Sequence, residues 1–203
     1  MRFGLFGGTF DPPHTGHLIA AQDAALALGL DRVLFVPAAV PPHKQHRTIT
    51  PAEFRLQMLA LALSDDTRFT LDPVELERPG PSYTVDTLRE LRRRLPGEWT
   101  LLLGADQYAE FATWREPEEV LRLATVGVLE RAGTLPRSAP STVPAEARDG
   151  VVRVSVTRVD ISSTAIRQRV AAGVSIRYLV PHEVETFIAE TGLYLRNGTS
   201  QTG

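Results

Sequence analysis

His14 and His17 stand three residues apart in the run Gly7-Gly8-Thr9-Phe10-Asp11-Pro12-Pro13-His14-Thr15-Gly16-His17. If the segment is helical there, both rings share one face. Beside a polyphosphate, imidazole N–H groups donate hydrogen bonds, and a protonated ring adds positive charge. A second polar group follows at His43, Lys44, His46 and Arg47, so that four of the five histidines fall between positions 14 and 46. Far downstream, Ser162, Ser163 and Thr164 precede Arg167. Hydroxyls at a helix N-terminus, with its free N–H groups and a guanidinium about one turn in, suit phosphate. Singly, each feature is commonplace: H-x-x-H serves as a helix cap, and Ser-Ser-Thr is an ordinary capping sequence. Jointly they point to a phosphate-bearing ligand.

These residues need particular elements behind them. Residues 3–6 are a short apolar run fit for a buried strand, and residues 16–28 read as a helix. The apolar, β-branched run 32–36, ended by Pro37, completes a βαβ unit with parallel strands and a right-handed crossover. Residues 38–50 then leave the C-terminal end of a parallel strand, where loops build the ligand crevice of open α/β sheets. Thr50, Pro51 and Glu53 predict a helix with Thr50 as N-cap, running to about Leu63. Residues 69–74 read as a strand, with Asp72-Pro73 marking an edge or bulge. Ser82 or Thr84 is expected to cap a helix that continues to Arg94. Residues 99–103 form the clearest buried strand and end in Gly104-Ala105-Asp106, where the backbone can approach a ligand and a carboxylate can meet hydroxyls. Strands are expected again over 125–129 and 151–156, joined by a Pro-, Ser-, Thr- and Ala-rich connection over 133–150 that reads as exposed and mobile.

Composition narrows the field. With 203 residues the chain is long enough for one domain, 1–203, with a helical C-terminal part over about 160–195. The balance of 22 Lys+Arg against 24 Asp+Glu gives no basic field for nucleic acid. With no cysteine there is no disulfide, thiolate nucleophile or thiolate metal site. No apolar run reaches the roughly 18 residues of a membrane span, and no signal-peptide pattern opens the chain. A cytoplasmic protein without a membrane partner is expected, and a homo-oligomer is compatible with this composition. Of the 22 basic residues only Lys44 is a lysine, and it lies in the loop expected to face the ligand.

Gly-Gly-Thr-Phe-Asp-Pro-Pro-His-x-Gly-His, together with Ile161-Ser162-Ser163-Thr164-x-Ile166-Arg167, resembles the paired phosphate motifs of the nucleotidylyltransferase superfamily, and specifically those of the nicotinate-nucleotide adenylyltransferase family. Pro41-Pro42-His43-Lys44, Ser82-Tyr83-Thr84, Ser175 to Pro181, and Gly192-Leu193-Tyr194 are similar to that family too. The resemblance implies an α/β doubly wound parallel sheet and adenylyl transfer from ATP to nicotinate mononucleotide, giving deamido-NAD and pyrophosphate, a step of NAD biosynthesis. It places ATP against Gly8, Thr9, Phe10, His14, His17, Gly104, Asp106, Ile161, Ser162, Ser163, Thr164 and Arg167. It places the mononucleotide against Thr9, Lys44, Ser82, Tyr83, Thr84, Trp114 and Arg131, with Trp114 stacking on the pyridine ring. His14, His17 and Lys44 are the catalytic candidates, Mg2+ is expected on ATP oxygens, and no protein metal site is expected. Two rivals remain at this stage. One is transfer to another acceptor within the superfamily, such as nicotinamide mononucleotide or phosphopantetheine; the other is a nucleotide sensor without turnover.

Overall fold

A computed structural model describes residues 1–39, 49–132 and 150–195. Among them, six strands form one sheet: β1 (Arg2–Gly8), β2 (Arg32–Pro37), β3 (Phe69–Leu71), β4 (Glu98–Gly104), β5 (Thr125–Ala132) and β6 (Val151–Thr157). Every pairing is parallel, and the order is β3-β2-β1-β4-β5-β6. The chain winds outward from β1 to one side, then returns to β4 and winds to the other. The connections reverse between β1 and β4, and at such a switch point the C-terminal strand ends splay to leave a crevice.

Both faces of the sheet are covered, which explains why the strands read as continuous apolar runs. Along β1, Phe3 and Leu5 point to one layer and Phe6 to the other. Helix α1 (Thr15–Leu28) buries Ala21, Ala24, Ala25 and Leu28 against the Phe6 side, with Val33 and Phe35 of β2. On the opposite face α4 (Thr84–Arg94) contributes Val85, Leu88 and Leu91, and α6 (Pro117–Leu123) contributes Val120. Trp99 joins this second layer, stacked on Phe3 with ring centroids 4.9 Å apart. A third apolar cluster binds Met58 and Ala62 of α2 (Ala52–Leu63) to Ile166 of α7 (Ser163–Ala171) and to Val184 and Ile188 of α8 (His182–Thr191).

Local differences from the sequence expectations have identifiable causes. Pro51, not Thr50, is the N-cap of α2. The Thr50 N–H is taken by the Asp11 carboxylate (3.2 Å) and its carbonyl by Arg55 Nε (2.9 Å), so Thr50 belongs to the loop. The strand expected over 69–74 stops at Leu71, because Asp72 accepts from the Val74 N–H (3.0 Å) and starts the short helix α3 (Val74–Glu77). β3 lies at the sheet edge, where a following Asp-Pro costs no ladder bond. Neither Ser82 nor Thr84 caps α4; Tyr83 holds that position, and the Ser82 hydroxyl accepts instead from the Ala39 N–H (3.1 Å). The connection expected over 133–150 lies outside the described residues apart from Gly150.

Candidate active site

Two cavities open at the C-terminal edge of the sheet, of about 470 and about 400 Å3. Gly7, Gly8, Thr9 and Gln107 line both. The shared wall is thus the end of β1 and the first turn of α5 (Ala105–Ala109), on either side of the switch point.

The larger cavity carries the phosphate motifs. Gly8, Thr9, Phe10, His14, His17, Gly104, Ile161, Ser162, Ser163, Thr164 and Arg167 all line it, although more than 140 residues separate its two halves. His14 is the N-cap of α1 and His17 its third residue. The rings stack with centroids 3.6 Å apart. The His14 backbone N–H donates to His17 Nδ1 (3.2 Å), so the motif does cap its helix, and the same bond fixes the tautomer. With Nδ1 accepting, a neutral His17 carries its proton on Nε2. Burial against Phe6 and Phe10, whose rings lie edge-on at 6.2 and 5.1 Å, holds His17 well below its ordinary value, and neighbouring His14 lowers it further. His17 is therefore a neutral donor and not the cation that an exposed histidine could be. Gly16 has a steric reason: a Cβ there would stand 3.1 Å from the His14 ring. At Gly7 nothing stands within 4 Å of such a Cβ, leaving backbone open to a ligand.

The opposite lip is α7. Ser162 is its N-cap and accepts from the Ala165 N–H (3.1 Å). Ser163 Oγ donates to the Pro12 carbonyl (2.8 Å) and Arg167 Nη1 to the Asp11 carbonyl (2.6 Å). The downstream motif thus grips the upstream one through the backbone of the loop between β1 and α1. From below, Tyr194 donates to Asp11 (2.7 Å). Burial, then the Asp11 carboxylate, pushes the Tyr194 phenol far up, so it stays a donor.

The smaller cavity collects the other predicted group: Thr9, Ser82, Tyr83, Thr84 and Trp114 all line it. Trp114 follows a 3-10 turn over Phe111–Thr113 and packs on Phe111 at 5.6 Å. Arg115 lies over the Tyr83 ring at 4.7 Å, a cation at the rim. Burial raises the carboxyl of Glu75 in the wall, while hydrogen bonds from Thr87 and Ser82 and the charge of Arg78 act against it.

One described candidate stands apart from this convergence. Asp106 is exposed on the first turn of α5 and lines neither cavity, while its neighbour Gln107 lines both. Lys44, with His43 and His46, lies outside the described residues, and so does the side chain of Arg131 on β5. Sequence reading missed Asp11, Arg55, Glu75 and Gln107. Arg55 had a usable signal: a charge at a helix position whose neighbours Met58, Leu59 and Ala62 are core. It is 2% exposed and donates to the carbonyls of Thr9 (3.0 Å), Ala38 (2.9 Å) and Thr50 (2.9 Å).

Residues 5–169 match the family model described as cytidylyltransferase-like. A Thermus thermophilus protein named probable nicotinate-nucleotide adenylyltransferase is 50% identical over 195 residues, spanning 96% of this chain and all of its own length. The chain belongs to the nicotinate-nucleotide adenylyltransferase family. A Rubrobacter xylanophilus protein of the same name is 41% identical over 197 residues, covering 96% of this chain and 92% of its own. Among solved structures, the Plasmodium falciparum nicotinic acid mononucleotide adenylyltransferase complexed with NaAD superposes with a TM-score of 0.72 at 17% identity, covering 95% of this chain and 97% of that one. At that identity the likeness concerns the fold: the family's doubly wound sheet is the one seen here.

Proposed function

We propose that this enzyme transfers the adenylyl group of ATP to nicotinate mononucleotide, releasing pyrophosphate and forming deamido-NAD for NAD biosynthesis. The observation that carries this reading is the meeting of the two cavities at Gly7, Gly8 and Thr9, one walled by phosphate donors and the other by Ser82, Tyr83, Thr84 and Trp114. ATP fits the larger cavity and the mononucleotide the smaller. A phosphate oxygen of the mononucleotide then attacks the α-phosphorus in line, and the bond to the bridging oxygen of pyrophosphate breaks on the far side.

Little covalent help is needed, and the chain contributes position and charge stabilisation. His17 offers Nε2–H to the transferring phosphate, held by the bond at Nδ1. Ser162, Ser163, Thr164 and Arg167 receive the leaving pyrophosphate at the α7 N-terminus. Lys44 is assigned the part of an added cation, Arg131 that of a mononucleotide contact, and Asp106, exposed beside the cavity-lining Gln107, that of a ribose contact. The larger cavity is lined by donors that suit phosphate oxygens. Magnesium carried on the triphosphate oxygens would neutralise charge developing there.

Side-by-side steady-state kinetics with nicotinate and nicotinamide mononucleotides tests the assignment. The α4 start offers N–H groups, which suit an acceptor-only carboxylate, whereas an amide turns its own NH2 toward a donor. The expected preference for the acid is at least about a hundred-fold in kcat/KM, the worth of one to two hydrogen bonds to charge. Comparable values would refute the acid assignment and leave adenylyl transfer standing.

A further inference from the structure

Glu75 is 9% exposed, sits on the single-turn helix α3 and lines the smaller cavity, yet sequence and family motifs give it no task. Its surroundings dictate how nearby hydroxyls must point. Thr87 Oγ1 is 2.7 Å from Glu75 Oε1 and receives Arg78 Nη2 at 3.1 Å. A guanidinium only donates, so the Thr87 proton has two acceptors, Glu75 at 2.7 Å and the Tyr83 carbonyl at 3.3 Å, and the shorter contact to Glu75 takes it. Ser82 Oγ receives the Ala39 N–H at 3.1 Å, and its side chain is near enough to Glu75 to favour the charged carboxylate against burial. There too the outer partner can only donate, and the Ser82 proton turns inward. Glu75 is the sink of a two-armed relay that joins the end of β2, α3 and the start of α4.

We propose that Glu75 is a positioning residue for the pyridine nucleotide. Through the Ser82 and Thr87 hydroxyls it fixes the Ser82–Tyr83–Thr84 turn against Ala39, so that the turn presents N–H groups to the ligand. The proposal rests on the assignment of the smaller cavity to the mononucleotide. Thr87 is fully buried and does not line the cavity; it reaches the turn through Glu75 and through its own contact with the Tyr83 carbonyl (3.3 Å). The larger cavity shares no member of the relay.

The test is calorimetric binding of nicotinate mononucleotide and, separately, of a non-hydrolysable ATP analogue to wild type, Glu75→Gln, Thr87→Val, their double variant and Thr87→Ser. Glu75→Gln keeps the shape but replaces one acceptor with a donor, and Thr87→Val removes one arm at constant volume. Each should weaken the mononucleotide about ten-fold, as expected for one hydrogen bond to charge, and leave the ATP analogue within about two-fold. The double variant should be little worse than the poorer single, because both cut the same relay. Thr87→Ser retains the hydroxyl and should restore wild-type affinity. Equal weakening of both ligands, additive losses, or a Thr87→Val variant that binds as wild type would overturn the proposal. Should Glu75→Gln fail to fold, the Thr87→Val and Thr87→Ser pair decides by the same criteria. If wild type uses a different phosphorylated acceptor, the assignment of function falls, and the same variants measured with that acceptor still judge Glu75.

Discussion

At the residue scale, the defining property of His17 is that it stays neutral. The folded value lies well below the ordinary 6.5, chiefly through burial. Between those two values the unfolded chain binds the proton more tightly, so this group's contribution to stability is complete above about pH 6.5 and is lost as pH falls. Thermal unfolding followed from about pH 8 to about pH 5 should show wild type losing stability over the acid half, with a shallower slope in His17→Ala. Parallel slopes would mean that His17 titrates normally. For activity, the loss of one charge-stabilising donor costs about 10²–10³ in rate, so His17→Ala should lower kcat by that order with ATP affinity less affected. A variant within a few-fold of wild type in kcat would remove His17 from the chemistry.

At the element scale, the notable tie is α2 to the loops. Arg55 reaches from that helix to the ends of β1 and β2 and to Thr50 through three carbonyls. A planar fork can serve several carbonyls at once, whereas an ammonium is a point donor. Arg55→Ala should destabilise the protein by about 3–5 kcal/mol, the range for breaking a buried charged contact, with Arg55→Lys in between. Chemical denaturation measures the loss. Because Thr9 lines both cavities, KM for ATP and for the mononucleotide should rise together in Arg55→Lys. This contrasts with the one-sided effect expected at Glu75, and a one-sided effect at Arg55 would contradict its role as a shared strut.

At the scale of the whole molecule, the C-terminal helices share their apolar cluster with α2, while α2 also gives Leu59 and Leu63 to the layer under the sheet. Thr15 binds Leu179 across the same junction (3.0 Å), and Tyr194 closes on Asp11. We propose that the chain folds as a single domain, with the helical C-terminal part cooperating with the sheet. Circular dichroism and tryptophan fluorescence should then give coincident unfolding transitions, since both tryptophans lie in the second core layer. Separate transitions would mark the C-terminal part as independent.

The sequence alone determined the parallel βαβ opening and the two motifs whose residues the fold brings to one cavity. Those signals are local: an apolar run, a turn and a cap are written in consecutive residues, and so is the motif around His14 and His17. What only the tertiary structure decided depends on partners distant in the chain. Thr50 lost its expected N-cap position to Asp11 and Arg55, and Ser82 lost its own to Ala39 and Glu75, because a hydroxyl or N–H goes to whichever buried partner the fold brings near. That Gln107 and not Asp106 lines the cavities is a question of helix phase that a Gly-x-Asp pattern leaves open. His17 is neutral because Phe6, Phe10 and His14 remove water from its ring, and Arg55 and Glu75 are buried because carbonyls and hydroxyls converge on them. Desolvation depends on what surrounds a group in space, and one-dimensional spacing does not encode it.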